Sequence, residues 1–196
     1  SKPSPAAKMD LKSHALELSM GYKWSAVSNP SKHRIVVSSN PELRGRRQGA
    51  KPFRYLYIQC IYNTKYAFAA LKTDKTVVTW GDEKNGGCSL KMKDKLINIV
   101  KIYSTQGAFA GLNKHNEIIT WGNKRFGGDT SNIRHLLNNI TNIYTTNSAF
   151  AALKKNETVI TWGDLKSGGN SSNVANDLFD IINIYGNKSA FAALKK

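Results

Sequence analysis

The chain has 196 residues, 40% of them hydrophobic, 21% charged and 10% aromatic, with 29 Lys/Arg against 13 Asp/Glu for a net charge of +16. That apolar content is enough for a core and argues against a wholly disordered chain. No run of about 18 apolar residues is present, so no membrane span is predicted, and the stretch Ser1 to Met20 lacks the apolar segment of a secretory signal.

In chain order the first region is basic and broken. All five prolines precede residue 60, as do Arg34, Arg44, Arg46, Arg47 and Arg54, five of the seven arginines. Residues 1–60 hold 11 Lys/Arg and 3 Asp/Glu, so half of the net charge sits in less than a third of the chain. Beyond residue 60 lysine replaces arginine and asparagine becomes abundant.

From there on the chain repeats. Tyr62, Tyr103, Tyr144 and Tyr185 are spaced by 41, and so are Phe68, Phe109, Phe150 and Phe191. Trp80-Gly81, Trp121-Gly122 and Trp162-Gly163 keep the step, as do Gly86-Gly87, Gly127-Gly128 and Gly168-Gly169. A fixed period of this size marks a repeat architecture. Residues 62–102, 103–143 and 144–184 are three copies and 185–196 a partial fourth. Ala26, Val36-Val37, Gly45, Ile58 and Ile61 lie one step before Ala67, Val77-Val78, Gly86, Ile99 and Ile102. Residues 21–61 therefore read as a degenerate basic repeat, with Ser39-Asn40 in place of Trp-Gly, and residues 1–20 as an N-terminal extension.

Each copy holds three strand candidates: Ile99–Tyr103, Ala67–Leu71 and Thr76–Trp80, with their equivalents. They are short, β-branched and aromatic, and bounded by turn residues. Polar tripeptides such as Thr73-Asp74-Lys75 separate the second from the third, as a short hairpin requires. A fourth outer strand or a short helix is expected over Ser171 to Phe179 and its counterparts. About four strands per 40-odd residues is the arithmetic of a propeller blade. The Ala-Phe-Ala-Ala-Leu segment suits a crowded inner strand, and Phe and Trp suit the space between blades.

The repeat Ser148–Asp164 (SAFAALKKNETVITWGD) followed by Gly168-Gly169 resembles that of the regulator-of-chromosome-condensation family. Propeller-type β-lactamase inhibitors share the pattern. The resemblance covers residues 62–196 well and 21–61 faintly. It implies an all-β propeller that grips proteins, whose members serve as exchange factors for small GTPases, chromatin binders, ligase subunits or inhibitors. The family's usual seven blades would need about 287 residues at this period. The expectation is thus a propeller-like array of four to five blades, in which the terminal pieces jointly complete a blade or the array stays an open arc with exposed strand edges.

Reactive constellations are sparse. Cys60 and Cys88 do not recur between copies, and His14, His33, His115 and His135 make no metal-ligand spacing with them. The Gly-Gly pairs lack the Lys-Ser/Thr of a phosphate loop and read as turn glycines. Asp82, Asn123 and Asp164 follow Trp-Gly and read as side chains closing Asx-turns. The Asn-X-Ser/Thr matches at Asn139, Asn156, Asn170 and Asn187 are of the kind that arises by chance in so Asn-rich a chain. No enzyme activity, cofactor or metal is expected.

The strongest functional signal is charge. Lys32, Arg34, Arg44, Arg46, Arg47, Lys51 and Arg54 form an Arg-rich stretch, and Lys124 and Arg125 a smaller patch in a loop that differs between copies. Guanidinium clusters suit phosphates, and variable loops on a rigid repeat are where recognition concentrates. The partners expected are a nucleic acid, RNA or DNA, or a protein with an acidic face; the resemblance adds a small GTPase. The compartment expected is intracellular: nucleus, cytoplasm or mitochondrion.

Overall fold

The computed structural model describes residues 56–196 and, before them, the backbone of strands β1 (Glu17–Leu18), β2 (Tyr22–Asn29) and β3 (Lys32–Val37). The chain divides into two compact units, Ser1–Gln59 and Cys60–Lys196.

In the first unit β1 pairs antiparallel with β2, and β2 with β3 over Trp24↔Val37 to Asn29↔Lys32. The start of β4 (Leu56–Asn63) pairs with β3 through Arg34↔Tyr57 and Ile35↔Leu56.

The second unit is a series of antiparallel meanders. After the end of β4 come β5 (Ala67–Lys72) and β6 (Val77–Gly81). Next are β7 (Ile99–Ser104), β8 (Ala108–Asn113) and β9 (Ile118–Gly122), then β10 (Ile140–Thr145), β11 (Ala149–Lys154) and β12 (Val159–Gly163). Strands β13 (Ile181–Gly186) and β14 (Phe191–Lys195) pair in a two-stranded sheet. The registers repeat: Phe68↔Trp80, Phe109↔Trp121 and Phe150↔Trp162 are directly opposed. A bulge sits at the same place in β7, β10 and β13, at Val100, Thr141 and Ile182.

One open alternative resolves and one expectation needs correction. The sheets β7–β8–β9 and β10–β11–β12 have three strands, and one-turn 3-10 helices at Leu90–Met92 and Arg134–Leu136, lengthened to Ser172–Asp177 in the third copy, stand where a fourth strand was one option. These segments lack two-residue alternation, and Asp129 and Asn170 accept hydrogen bonds from the backbone N–H of Ser131 and Ser172, both at 3.0 Å. Such local bonds compete with strand pairing. In the three-stranded sheets the Ala-Phe-Ala strand, β8 or β11, is the middle strand and not the inner one. Its small residues are needed because both of its faces are covered: all six residues of β8 are buried.

The core lies between successive blades. Ala69 and Leu71, with Val77 packed beside them, meet Leu96, Ile99, Ile102 and Phe109 of the next blade. Ala110, Leu112 and Ile118 likewise meet Leu137, Ile140, Ile143 and Phe150. Ala151, Leu153 and Val159 meet Ile181 and Ile184, with Leu178 and Phe191 packed against them. The period-two alternation of a strand therefore sends one set of side chains to the preceding blade and the other to the following one.

The glycines explain the Trp-Gly and Gly-Gly signatures. Gly127 has φ 93°, and a Cβ there would lie 2.6 Å from Phe150 of the next blade. Gly122 has φ 103°, and its Cβ would lie 2.7 Å from the Gly107 carbonyl oxygen. Both positions combine a left-handed backbone with no room for a side chain.

Backbone hydrogen bonds join the blades as well. Lys65 N–H donates to the Gln106 carbonyl (2.9 Å), Gln106 N–H to Asn147 (2.8 Å) and Asn147 N–H to Lys188 (3.1 Å). At the other ends of the strands, Ile99 N–H donates to Lys75 O (2.9 Å) and Ile181 N–H to Glu157 O (3.0 Å).

Candidate interaction surfaces

The anchors predicted from the repeat form one constellation per blade. The rings of Phe68 and Trp80, Phe109 and Trp121, and Phe150 and Trp162 stack with centroids 5.4, 5.2 and 5.1 Å apart. Phe191 holds the equivalent place in β14 and packs against the third core cluster. The Trp162 indole N–H donates to the Gly127 carbonyl of the preceding blade at 3.1 Å, while the buried Trp121 indole N–H is without a partner. Phe109, Trp121, Phe150 and Trp162 are buried in this packing and are not presented to a ligand, whereas Phe68 is 38% exposed.

Two further sets at the same period were missed in the sequence. Thr64, Thr105 and Thr146 are buried, and each hydroxyl accepts from the N–H of the alanine three residues on. Each also donates to the backbone of its blade's loop, Asn85 O (3.2 Å), Phe126 O (3.0 Å) and Ser167 O (2.9 Å) respectively. Tyr103 OH donates to Asn142 Oδ1 and Tyr144 OH to Asn183 Oδ1, both at 2.7 Å and both across a blade junction. The 41-residue step that exposed the aromatics also carries these residues, but threonine and asparagine are common enough here to hide the pattern.

The loops after Trp-Gly begin as expected. Asp82 Oδ1 accepts from Asn85 N–H (2.9 Å) and Asn123 Oδ1 from Arg125 N–H (3.0 Å). Asp164 differs: its carboxylate takes the Ser167 hydroxyl (2.8 Å) and the Arg125 guanidinium (3.5 Å).

The basic residues fall into two groups. Lys32 and Arg34 lie on β3, opposite Asn29 and Val27 in the register with β2. Arg44, Arg46, Arg47, Lys51 and Arg54 lie outside the described residues. Lys124 and Arg125 occupy a 3-10 turn after β9, with side chains 84% and 74% exposed. Both are already paired: Lys124 Nζ is 3.0 Å from Asp129, and Arg125 reaches Asp164 of the next blade. The backbone N–H of Ser131, then the Lys124 ammonium, hold the Asp129 carboxyl down to about 2. The pairing spends part of the charge that made this patch a candidate, and the site keeps only the outward donors.

Among the described residues no group of three or more His, Cys, Asp or Glu is placed to hold a metal, and no helix is long and apolar enough to cross a membrane. Cys60 is exposed and Cys88 half-buried, and both are free thiols.

No protein-family model and no curated protein matches the chain. Solved structures do. Yeast RCC1 (Prp20), in its complex with Kap60, aligns at 14% identity and a TM-score of 0.50 over 76% of this chain and 43% of its own. Human WBSCR16 aligns at 13% identity and 0.47, over 96% and 59%, and the ectodomain of the Physcomitrella patens receptor kinase CR4 at 16% and 0.46, over 69% and 35%. The chain thus spans less than two thirds of each of these proteins. At these identities the likeness concerns the fold: an all-β, propeller-like array of repeated blades.

Proposed function

We propose that the chain is a non-enzymatic interaction module of propeller type, a structural or adaptor subunit of a larger assembly that contains nucleic acid. In this reading its repeats are of the regulator-of-chromosome-condensation type, residues 1–20 are an extension and residues 21–61 a degenerate basic blade. The observation that carries the reading is a division of labour. Inside the array the residues fixed at the 41-residue step, such as Phe109, Trp121, Phe150 and Trp162, are buried in blade junctions, whereas the turns between strands change charge and size from copy to copy. A rigid scaffold with variable turns is suited to recognition. The net charge of +16 then selects a polyanionic or acidic partner. The Arg-rich stretch Lys32, Arg34, Arg44, Arg46, Arg47, Lys51 and Arg54 is the proposed contact, with Lys124 and Arg125 secondary because their charges are shared with carboxylates.

The test is salt dependence. Affinity for nucleic acid should fall by about 0.7–0.9 log units per log unit of salt for each phosphate engaged. Replacing Arg44, Arg46 and Arg47 by Ala should weaken binding to every sequence alike. A flat salt response rejects the reading.

A second reading, a regulator of a small GTPase, is supported by the repeat resemblance and by the fold shared with yeast RCC1. It predicts accelerated nucleotide release from one member of a GTPase panel. In both readings the protein works inside the cell.

A further inference from the structure

The turns joining the second and third strands of each blade are equivalent by the 41-residue step, and so lie along one edge of the second unit. The first two are closed on themselves. Asp74 accepts from Lys72 Nζ (2.9 Å), Thr76 N–H (3.0 Å) and Thr76 Oγ1 (2.7 Å). Asn113 Oδ1 accepts from His115 N–H (2.9 Å) and Glu117 N–H (3.0 Å), and its amide donates to Glu117 Oε2 (2.8 Å). In each case the acceptor that caps the turn belongs to the turn; the first keeps Asp74 on Lys72, and the second holds Glu117 on the Asn113 amide.

The third turn is built differently. Lys154 replaces the capping Asn113, and Thr158 replaces Glu117. Asn156 Oδ1 is occupied by the Thr158 hydroxyl (2.8 Å), which leaves the Asn156 amide as a donor. The turn's carboxylate, Glu157, is drawn to Lys196 of the next blade at 2.6 Å. Lys154 Nζ gives one hydrogen bond to Leu136 O (3.1 Å) and keeps two protons. Lys155 makes no side-chain ion pair among the described residues. Beside this turn is an open depression of about 300 Å³ lined by Asn138, Asn139, Lys154, Lys155 and Asn156. Its lining residues are two lysines and three asparagines, with no carboxylate, and the Asn138 amide gives one of its hydrogens to His135 O (3.0 Å).

We infer that this depression, between the Lys154–Asn156 turn and Asn138-Asn139, binds a phosphate group of a nucleic-acid backbone. Ammonium groups bind phosphate as point charges, and amides add directional donors. A polymer is favoured over a lone anion because the chain as a whole carries +16, and Lys114 and Lys155 stand at equivalent positions of successive turns, where the first turn has Thr73. The inference rests on the nucleic-acid reading above and adds to it a site apart from the Arg-rich stretch.

The experiment uses the full chain and a labelled single-stranded oligouridylate, followed by fluorescence anisotropy at several salt concentrations. Lys154→Ala with Lys155→Ala should weaken binding about tenfold and flatten the salt slope by about 0.7 for each phosphate that is no longer engaged. Lys155→Glu, at an exposed side chain, should do the same with an unchanged melting curve. Amide resonances of Lys154 to Asn156 and of Asn138 and Asn139 should shift on titration. If binding falls only when Arg44, Arg46 and Arg47 are replaced, this site is wrong and the broader reading stands. If the unmodified chain does not bind the oligonucleotide, both are wrong. Equal competition by polyglutamate would overturn the phosphate assignment.

Discussion

The first and second blades of the second unit are made from the same parts and differ in how completely those parts are used. Phe109 stacks on Trp121 and is fully buried, because it also rests on Gly86 of the blade before it. Phe68 stacks on Trp80 at nearly the same distance yet is 38% exposed. Its counterpart glycine, Gly45, lies outside the described residues. Tyr103 bonds across its junction to Asn142, but the position equivalent to Asn142 one blade earlier is Lys101, whose ammonium lies 4.7 Å over the Tyr103 ring. Burial there, with Cys60 close by, raises the Tyr62 phenol above its ordinary value. The stack is a property of one blade; its burial belongs to the junction.

The largest effect that can test this contrast is at phenylalanine. Phe150→Ala should cost about 3–5 kcal/mol in urea denaturation, the range for a buried aromatic, and Phe68→Ala clearly less. Equal costs would mean that the intra-blade stack, and not the neighbouring glycine, supplies the stability. Thr105→Val should come next. It leaves the Ala108 N–H and the Phe126 carbonyl without their shared hydroxyl, at about 1–3 kcal/mol. The same substitution at an exposed threonine should register almost nothing.

Smaller again is the tyrosine bond. Asn142→Ala should cost about 1 kcal/mol by removing the acceptor of Tyr103 OH and of Ile143 N–H. Lys101→Ala should cost about 0.5–1 kcal/mol at most, the worth of an exposed cation–π contact. A larger loss at Lys101 would show that the first junction has its own lock.

The smallest effect is acid sensitivity. The Asp129 carboxyl sits at about 2, held there by Ser131 and Lys124. Asp74 is also at about 2: burial pushes it up, and the bonds from Thr76 and Lys72 outweigh that. Both folded values lie below the unfolded value of about 3.9. Their contribution is therefore complete above that value and disappears as pH falls from there through 2. The Asp74 and Asp129 side chains are 59% and 34% exposed, so solvent screening keeps each below about 1 kcal/mol. Asp129→Asn should flatten the stability profile between those pH values, and a profile unchanged by that substitution would count against the ion pair with Lys124.

Much of this was legible beforehand because rare residues carried it. Trp, Phe and paired Gly stand out at a fixed step, and each has one structural use: stack, fill or make room. Thr105 and Asn142 obey the same step and do as much bonding, yet they sit in a chain full of Thr and Asn. The choice between a fourth strand and a short helix, open in the sequence, went to the helix for a related reason. Segments such as Ser172–Asp177 have the length of a strand, but polar side chains that bond to their own backbone. The charge of Lys124 and Arg125 was visible, whereas Asp129 and Asp164 as their partners required folded geometry. The turn at Lys154 was invisible for the opposite reason: its distinction from the first turn is Asn156 in place of Asp74, the carboxylate that holds Lys72.

The run of amide bonds from Lys65 through Gln106 and Asn147 to Lys188 has an arrow. Every blade hands a proton donor forward to its successor and offers an oxygen back to its predecessor. A module inserted upside down would set oxygen against oxygen along that seam, so the polarity of the stack is written in the main chain before any side chain is chosen. Duplication of a 41-residue segment could therefore lengthen such an array without any new code for orientation.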